Sequence, residues 1–436
     1  MALHAFWEAF SALDWQCTMI IAVVLAPLPF IIIFLITSIT AASRMASIRD
    51  RVEAPPLPYA IPGVGNLLSF ASDMRGAIKS IRQVSYPPLF HKTILTCFVS
   101  RDYYNMPVSL RLGTQTIYLI SGAQNISGMF SRSRDLSTKP MLVKILTSAF
   151  GLPSPDARIF EADESGMYHK PSPGSNVPSE KRLFHNSHRL FSQELTGQCL
   201  AELSRQFIRI FATRLRNKSE EIGSDWSETP DIYGFVRDEA FIATTVALCG
   251  DHILDLSPDF AENFWLFDAW LPTLVKMLPR WLIPKGFTVR DNILRSIMKW
   301  YEFSDKHFDQ ADEIPDDVLW EPVYGHKLMR ERAKMYKLAN VSVEGRAAND
   351  LGMIWGANAN VVPSASWCLI HILADETLAW RVRQEIAPAF ANDDVESVDM
   401  AKLNSCPLLQ SIIAEVLRLN MAVMINRVSS SFRPAV

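Results

Sequence analysis

The feature that most constrains the fold is a long apolar stretch, residues 351–371, with a proline inside it. Apolar side chains recur there at helical spacing, interrupted by small residues, two asparagines and Pro363. Proline has no backbone N–H, and inside a helix it opens the hydrogen-bond ladder. The sequence therefore predicts one long helix that bulges or kinks between Asn358 and Pro363 and presents polar groups at that point.

A second helical segment carries a pair of opposite charges, Glu415 and Arg418. Because they stand three residues apart, the two side chains share one face of a helix. The surrounding Leu, Ile and Val predict a buried window, in which the two charges must neutralise each other. The same spacing also occurs on many helix surfaces, where it marks only a solvated ion pair.

In order and spacing, the interrupted helix and the Glu415/Arg418 pair resemble the cytochrome P-450 family. The resemblance implies a mainly α-helical fold with a small β portion, in which the interrupted helix lies over a haem (heme) group. Residues 355–363 look particularly similar to the branch that contains the sterol 7-alpha-hydroxylases and prostacyclin synthase. In that branch the central helix carries Asn where most members carry Thr, so the resemblance makes Asn360 the candidate catalytic residue.

The resemblance also implies which residues bind the haem cofactor. His185 and Arg189 stand four apart at the start of a helix, the spacing at which the family often places Trp and an Arg that contacts a haem propionate. Arg427 is the third residue expected to bind the cofactor. For His185 and Arg189 the alternative is a basic helix start that lies in solvent.

The family's iron ligand is a cysteine thiolate in a Phe-x-x-Gly-x-x-x-Cys-x-Gly loop beyond the ion-pair helix. This pattern does not occur in the sequence, and no metal-binding residue is assigned. Cys406 precedes that helix and is not expected to be the ligand, while Cys368 is expected to be a small buried hydrophobe. The resemblance spans residues 55–427, so we expect a chain truncated at its C-terminus by a premature stop, a splice variant or a mispredicted gene end.

Near the N-terminus, residues 15–43 contain no Asp, Glu, Lys or Arg, and residues 18–39 are apolar over a length that can cross a membrane once. Acidic residues precede this run and arginines follow it, which predicts an uncleaved anchor with the body of the protein in the cytosol. The predicted organisation is a lumenal N-terminus at 1–17, a transmembrane signal anchor at 18–40, a basic, proline-rich hinge at 41–66 and a cytochrome P-450-like domain at 67–436. The predicted location is the endoplasmic reticulum membrane.

Composition limits which other classes of protein the chain can belong to. The chain has 436 residues, 49% of them hydrophobic, and a formal net charge of −3, so it has ample material for a core and no electrostatic reason to bind nucleic acid. Its six cysteines are scattered, without the paired spacing of a zinc site, and suit a reducing compartment.

Hydrophobic periodicity predicts where regular structure lies. Residues 154–182 are rich in Pro, Ser, Gly and charge and lack periodicity, which predicts an exposed loop. The predicted elements are a helix at 71–85, two strands at 109–113 and 115–120, and helices at 183–215, 235–254, 290–308 and 327–338.

One further segment, residues 264–285, interleaves tryptophans and leucines with basic residues. Such a mixture suits a segment that lies at a membrane surface beside the entrance for a lipophilic substrate. Packing in the protein core is an equal alternative.

The resemblance implies a haem-dependent monooxygenase whose full-length form oxidises a lipophilic substrate such as a sterol, a terpenoid or another secondary metabolite, with electrons from an NADPH-cytochrome reductase. Ala359 and Asn360 replace the acid and Thr of most members, which leaves a haem-dependent isomerase of the prostacyclin-synthase type as one alternative. A non-catalytic, membrane-tethered remnant is the other.

Overall fold

The computed structural model describes residues 25–46, 54, 56–72, 107–113, 115–120, 122–131, 136–224, 228, 231–310, 314–390, 398–420 and 428–429. The chain divides into two units, one formed by residues 1–136 and 429–436 and the other by residues 137–428. Helices dominate the described residues and strands are few and short, so the predicted mainly α-helical fold with a small β portion is confirmed.

The first unit contains helix α1, an antiparallel hairpin and two shorter helices. Strands β1 and β2 pair so that Val108 lies opposite Leu119, and Gly113 turns the chain between them with φ +62°. Both predicted strands are therefore present. The elements in chain order are α1 (Leu28–Ala46), α2 (Leu67–Ser72), β1 (Val108–Leu112), β2 (Gln115–Leu119) and α3 (Ala123–Ser131).

Two predictions fall partly outside the described part of this unit. The predicted anchor begins at residue 18, but only its portion from residue 25 is described, with helix α1 starting at Leu28. Within the described ranges, no helix is both long enough and apolar enough to span a membrane. The helix predicted at 71–85 is seen only as the end of α2, since residues 73–85 are outside the described ranges.

The second unit carries the core and nearly all of the predicted helices. Strand β3 (Leu136–Ser137) contains the chain boundary between the units. The first elements after it are α4 (Lys139–Ser148), α5 (Ser154–Ala162), α6 (Leu183–Glu194), α7 (Gly197–Ile222), α8 (Ile232–Cys249), α9 (His252–Asp255), α10 (Phe260–Leu274) and α11 (Pro284–Gln310). They are followed by β4 (Trp320–Glu321), β5 (Gly325–His326), α12 (Lys327–Leu338), α13 (Val343–Asn358), α14 (Val361–Leu373), α15 (Glu376–Ile386), α16 (Met400–Asn404), α17 (Pro407–Asn420) and β6 (Val428–Ser429). The helices predicted at 183–215, 235–254, 290–308 and 327–338 are all confirmed.

The prediction of an exposed loop at 154–182 is wrong over its first third. Pro at the second position of α5 fits the first turn of a helix, where no N–H is needed. Asp156 and Phe160 of α5 are buried, and farther on Arg182 is buried as well, with its guanidinium donating to the carbonyls of Tyr168 and His169. Local composition predicted solvent exposure because it does not show which backbone carbonyls accept hydrogen bonds from Arg182.

Asp156 connects α5 to the start of the central helix. Its carboxylate accepts hydrogen bonds from the backbone N–H of Ser342 at 3.0 Å and from the Ser342 hydroxyl at 2.5 Å. The same hydroxyl caps α13 by accepting from Gly345 N at 3.0 Å. A Cβ at Gly345 would lie 2.5 Å from the Asp156 carboxylate, so only glycine allows this close approach. The beginning of the central helix is thereby fixed in place.

The core is rich in aromatic side chains, with Trp300, Tyr301, Phe241, Phe260, Phe264 and Phe267 fully buried. Beside Tyr301, a buried ion pair joins α12 to α13. Arg332 donates through Nε and Nη2 to Asp350 Oδ1 at 2.9 and 2.6 Å, and the Tyr301 hydroxyl donates to the other carboxylate oxygen. Burial, together with the nearby Asp350 carboxylate, raises the pKa of Tyr301 well above its ordinary value, so this hydroxyl stays a donor.

Candidate functional site

The central helix is interrupted where the sequence predicted a kink. Helix α13 ends at Asn358, and α14 begins at Val361. Pro363 has no N–H to donate to the carbonyl of Ala359, so the hydrogen-bond ladder is open there. Asn360 lies in this break with an exposed side chain, and its backbone carbonyl accepts a hydrogen bond from the Ser364 hydroxyl at 2.7 Å. The predicted interruption is confirmed, while the catalytic role of Asn360 stays a prediction.

A carboxylate from α10 contacts the helix just before this break. The indole N–H of Trp355 donates to Asp268 Oδ1 at 2.8 Å. Aromatic rings surround the contact, since Phe150 packs edge-on against both Trp355 and Phe267, with ring centroids 6.1 and 5.6 Å apart. Burial raises the pKa of Asp268, and the hydrogen bond from Trp355 only partly opposes that rise.

One turn after Trp355, the fully buried Asn358 side chain is half-satisfied. Its Nδ2 donates to the carbonyl of Ile354 at 2.9 Å. Its Oδ1 has no hydrogen-bond donor among the described residues. A buried amide oxygen without a donor is uncommon and carries a desolvation cost.

His185 and Arg189 both lie on α6, as predicted. The half-buried His185 places Nδ1 3.2 Å from the carbonyl of Met167, and the exposed Arg189 donates to Gln193 Oε1 at 3.0 Å. Arg189 also lines an open surface cavity of about 410 Å³ beside α12, with Glu331 and Lys334. Contact of either residue with a haem propionate stays a prediction, and Arg427 lies outside the described residues.

Glu415 and Arg418 form the predicted ion pair, but it is not buried. Arg418 donates to both Glu415 oxygens at 2.7 and 2.6 Å, and 54% of the Glu415 side chain and 66% of the Arg418 side chain are exposed. The expectation of burial is therefore wrong for this structure, because only Val416 of α17 is buried and the charged face of the helix points to solvent. The pair lowers the pKa of Glu415 through the Arg418 hydrogen bond.

In the segment at 264–285, one part packs in the core and another part is exposed, as the membrane-surface alternative requires. Core packing accounts for its first part, since Phe264, Phe267 and Leu271 of α10 are buried. Its second part is different, because Trp281 is 79% exposed and Leu282 is 52% exposed. An exposed Trp-Leu pair next to Arg280 is consistent with contact at a membrane surface, so that hypothesis stays a prediction for the part of the segment after α10.

Comparison with known proteins identifies the class to which this fold belongs. A family model described as cytochrome P-450 matches residues 251–431. The chain is 30% identical over 420 residues to the cytochrome P-450 monooxygenase efuG of Hormonema carpetanum, covering 92% of this chain and 68% of that relative. It is 31% identical over 397 residues to the monooxygenase fsoE of Humicola fuscoatra, covering 89% of this chain and 62% of that relative. The chain therefore belongs to the cytochrome P-450 family.

A further match is to a relative named for cholesterol 7-alpha-monooxygenase activity. The cholesterol 7-alpha-monooxygenase of Cricetulus griseus is 24% identical over 261 residues, which cover 56% of this chain and 48% of that enzyme. This similarity agrees with the resemblance of residues 355–363 to the sterol 7-alpha-hydroxylases. The chain spans less than two thirds of the length of several of the relatives it matches, among them the fsoE protein and this enzyme.

Membership of this family implies haem, whose iron ligand in the family is a cysteine thiolate. The thiolate is the form that binds a metal, and a bound metal itself lowers the pKa of the thiol. Burial instead raises the pKa of Cys199, Cys249 and Cys368. The Cys406 thiol lies within hydrogen-bonding distance of the carbonyls of Lys402 and Glu385, 3.4 and 3.6 Å away. The absence of an axial thiolate from this chain stays a prediction.

Sequence reasoning missed Asp268 and Asp350. Between Phe264 and Leu274, Asp268 is the one charged residue on an otherwise apolar helix, and this was the signal that could have found it. Asp350 immediately precedes the apolar stretch of the central helix. Its partner Arg332 comes from a different helix, so no local spacing could pair the two residues.

Proposed function

We propose that the complete protein is a membrane-bound, haem-dependent monooxygenase that oxidises a lipophilic substrate such as a sterol, a terpenoid or another secondary metabolite. The observation that carries this proposal is the interrupted central helix, with Asn358 and Asn360 at its break, in a member of the cytochrome P-450 family. The fungal relatives are monooxygenases by name, which supports the reaction class.

In this proposal the central helix orients the substrate and controls hydrogen bonding at the reacting position. The Asn360 amide is exposed, and an amide both donates and accepts hydrogen bonds. Haem supplies the oxidative chemistry when bound, and its electrons come from an NADPH-cytochrome reductase. The residues of this chain contribute binding, orientation and the exclusion of water.

Membrane association is part of the proposal. The apolar run at residues 18–39 of the sequence and the exposed pair Trp281 and Leu282 support attachment to the endoplasmic reticulum membrane by a single N-terminal anchor. With the body in the cytosol, the sequons at Asn125, Asn217 and Asn340 carry no glycan. Endoglycosidase-sensitive mass on the expressed chain would contradict this orientation.

The test of the reaction class begins with the transcript, which should be sequenced past codon 436. The 436-residue chain and the product of the whole transcript are then expressed, reduced and treated with carbon monoxide. We expect the red-shifted band of thiolate-ligated haem only in a product that contains the cysteine loop. The band in the 436-residue chain would show that one of its own thiols reaches the iron. Its absence from both products would favour a non-catalytic remnant.

A second candidate is a haem-dependent isomerase of the prostacyclin-synthase type. The observation in its favour is Ala359 and Asn360 at the break, where most family members carry an acid and a Thr. An isomerase needs neither NADPH nor O2. Product formation in the absence of both would therefore contradict the monooxygenase proposal and support the isomerase. In a monooxygenase, Asn360→Leu in the spectrally competent product should raise peroxide release per NADPH and lower product formation.

A further inference from the structure

A fully buried histidine connects helices α7 and α12. His326 immediately precedes α12, and its Nδ1 accepts a hydrogen bond from the backbone N–H of Leu328 at 3.3 Å, which caps the first turn of that helix. The other ring nitrogen, Nε2, lies 2.9 Å from the backbone carbonyl of Cys199, in the first turn of α7. One side chain thus joins the beginnings of two helices.

The two backbone partners allow one form of the His326 ring. A carbonyl oxygen accepts hydrogen bonds, so Nε2 carries the proton that is donated to Cys199. A backbone N–H donates, so Nδ1 must be unprotonated to accept from Leu328. A second proton, on Nδ1, would point at another N–H, and the cap would be lost. The geometry therefore assigns a neutral imidazole with a fixed tautomer.

Charged groups from three helices act on this ring. Burial lowers the pKa of His326, and the guanidinium of Arg330 on α12 adds to that effect. The carboxylates of Glu194 on α6 and Glu202 on α7 act in the opposite sense. Arg330 is itself buried, and its Nε and Nη1 have no hydrogen-bond acceptor among the described residues. A proton on the ring would add a second positive charge near this guanidinium and would attract the ring to the two carboxylates.

The uncharged neighbours of the ring do not titrate in the same range. The residue paired with His326 in the β4–β5 hairpin is Trp320. Helix α8 packs against β5 and ends at Cys249. Burial raises the pKa of the Cys199 thiol, and it raises that of Cys249 well above its ordinary value. Both thiols therefore stay neutral between about pH 5 and 8, the range in which an ordinary histidine changes its charge.

We propose that His326 is a pH-sensitive latch that holds the start of α12 against the start of α7. The neutral ring closes the latch through its two backbone hydrogen bonds. A proton on Nδ1 opens it, because the Leu328 N–H loses its acceptor and the charged ring is attracted to the nearby carboxylates. Helix α12 also carries Arg332, which is paired with Asp350 of the central helix, so the latch acts on a helix that supports α13.

The lowered pKa of His326 sets the direction of the effect. A ring released from the latch takes up its proton near the ordinary histidine pKa of about 6.5, whereas the ring in the closed latch takes it up at a lower pH. The stabilisation by the latch is therefore complete above about pH 6.5 and is lost as pH falls through the folded-state pKa. Between the two pKa values, the equilibrium constant for opening rises about tenfold for each pH unit.

The test follows amide exchange at the start of α12 in the full 436-residue chain, by hydrogen–deuterium exchange mass spectrometry between about pH 8 and pH 5. The rate for the peptide that begins at Lys327 is divided by the intrinsic rate at each pH, which gives the opening constant. We expect this constant to be flat above about pH 6.5 and to rise about tenfold between about pH 6.5 and 5.5. An opening constant that does not change with pH would overturn the proposal.

Two variants locate the effect at the latch. His326→Asn keeps an oxygen that can accept from the Leu328 N–H but cannot titrate, so its opening constant should not depend on pH in this range. His188→Asn, at an exposed position of α6, is the matched control and should keep the pH dependence of the original chain. If His326→Asn keeps that dependence as well, His326 is not the latch.

Nitrogen NMR of the original chain, with isotope-labelled histidine, gives a measurement that does not depend on folding of the variant. The chain has nine histidines, and we expect one of them to keep the neutral form with the proton on Nε2 at about pH 5.5. Protonation of all nine with midpoints near the ordinary pKa would contradict the latch. Because neither measurement needs haem or turnover, their outcomes are distinct from failure of the monooxygenase proposal.

Discussion

Two ion pairs of this chain look alike as chemistry and differ completely in surroundings. Arg332 and Asp350 are 3% and 0% exposed, and they join two helices. Glu415 and Arg418 are 54% and 66% exposed, and they lie within one helix. The exposed pair was found from its spacing, which matches a family motif. The buried pair joins residues of two different helices, and no local spacing predicts it.

The two pairs show that an ion pair is buried when several helices pack around it. Helices α11, α12 and α13 all contribute to the Asp350 site, through Tyr301, Arg332 and Asp350 itself. The carboxylate consequently receives hydrogen bonds on both oxygens. At Glu415 the helix supplies its own partner, and solvent screens both charges. Substitutions at sites of decreasing burial should therefore have decreasing effects on stability.

The largest effect is expected from Asp350→Asn. Arg332 would keep its charge in a buried site, and removal of one partner from a buried pair typically costs about 3–5 kcal/mol. The midpoint of urea unfolding, followed by near-ultraviolet circular dichroism, should fall sharply. The matched control is Arg332→Met with Asp350→Leu, which removes both charges and should recover much of the loss. If the single variant is as stable as the original chain, the pair is not a structural element.

The next effect is expected from Asp156→Ala, which removes both bonds to Ser342 at the start of the central helix. A buried backbone N–H and a hydroxyl would lose their acceptor, which should cost about 1–3 kcal/mol. The same urea titration measures it. Glu161→Ala, at an exposed position of α5, should change the free energy of unfolding by less than about 0.5 kcal/mol. Equal effects of the two variants would contradict the role of Asp156.

A smaller effect, which depends on pH, is expected at Asp305. Burial alone would raise its pKa, but hydrogen bonds from Arg346 at 2.8 Å, Tyr324 at 2.5 Å and Lys337 at 2.9 Å lower it overall. A carboxyl with a lowered folded-state pKa stabilises the fold above its unfolded-state pKa, and that stability is lost as pH falls through the folded-state pKa. Asp305→Asn should therefore reduce stability at neutral pH and flatten the acid limb of a stability–pH curve. An unchanged acid limb would exclude this contribution.

The sequence predicted features that depend on local chemistry and missed features that depend on contacts between helices. Helix α12 was predicted with its observed bounds, and the break at Asn360 followed from Pro363, because both depend on local periodicity and backbone chemistry. The burial of Asp156 and the partner of Asp268 could not be predicted, since each depends on a residue from another helix. Sequence also indicated which residues resemble family motifs, while the exposure of Glu415 depended on packing around α17.

The smallest effect is expected from Glu415→Ala, at the exposed pair of α17. Because both side chains are exposed, the lost attraction is screened, and exposed pairs often contribute nothing measurable. Urea unfolding and protease resistance of this chain should be unchanged within error, and Arg418→Ala should behave in the same way. A marked loss in either variant would mean that the pair is enclosed in solution by another part of the protein or by a partner. In that case Glu415 and Arg418, like Arg332 and Asp350, would be buried in solution, and the two pairs would differ only in what buries them.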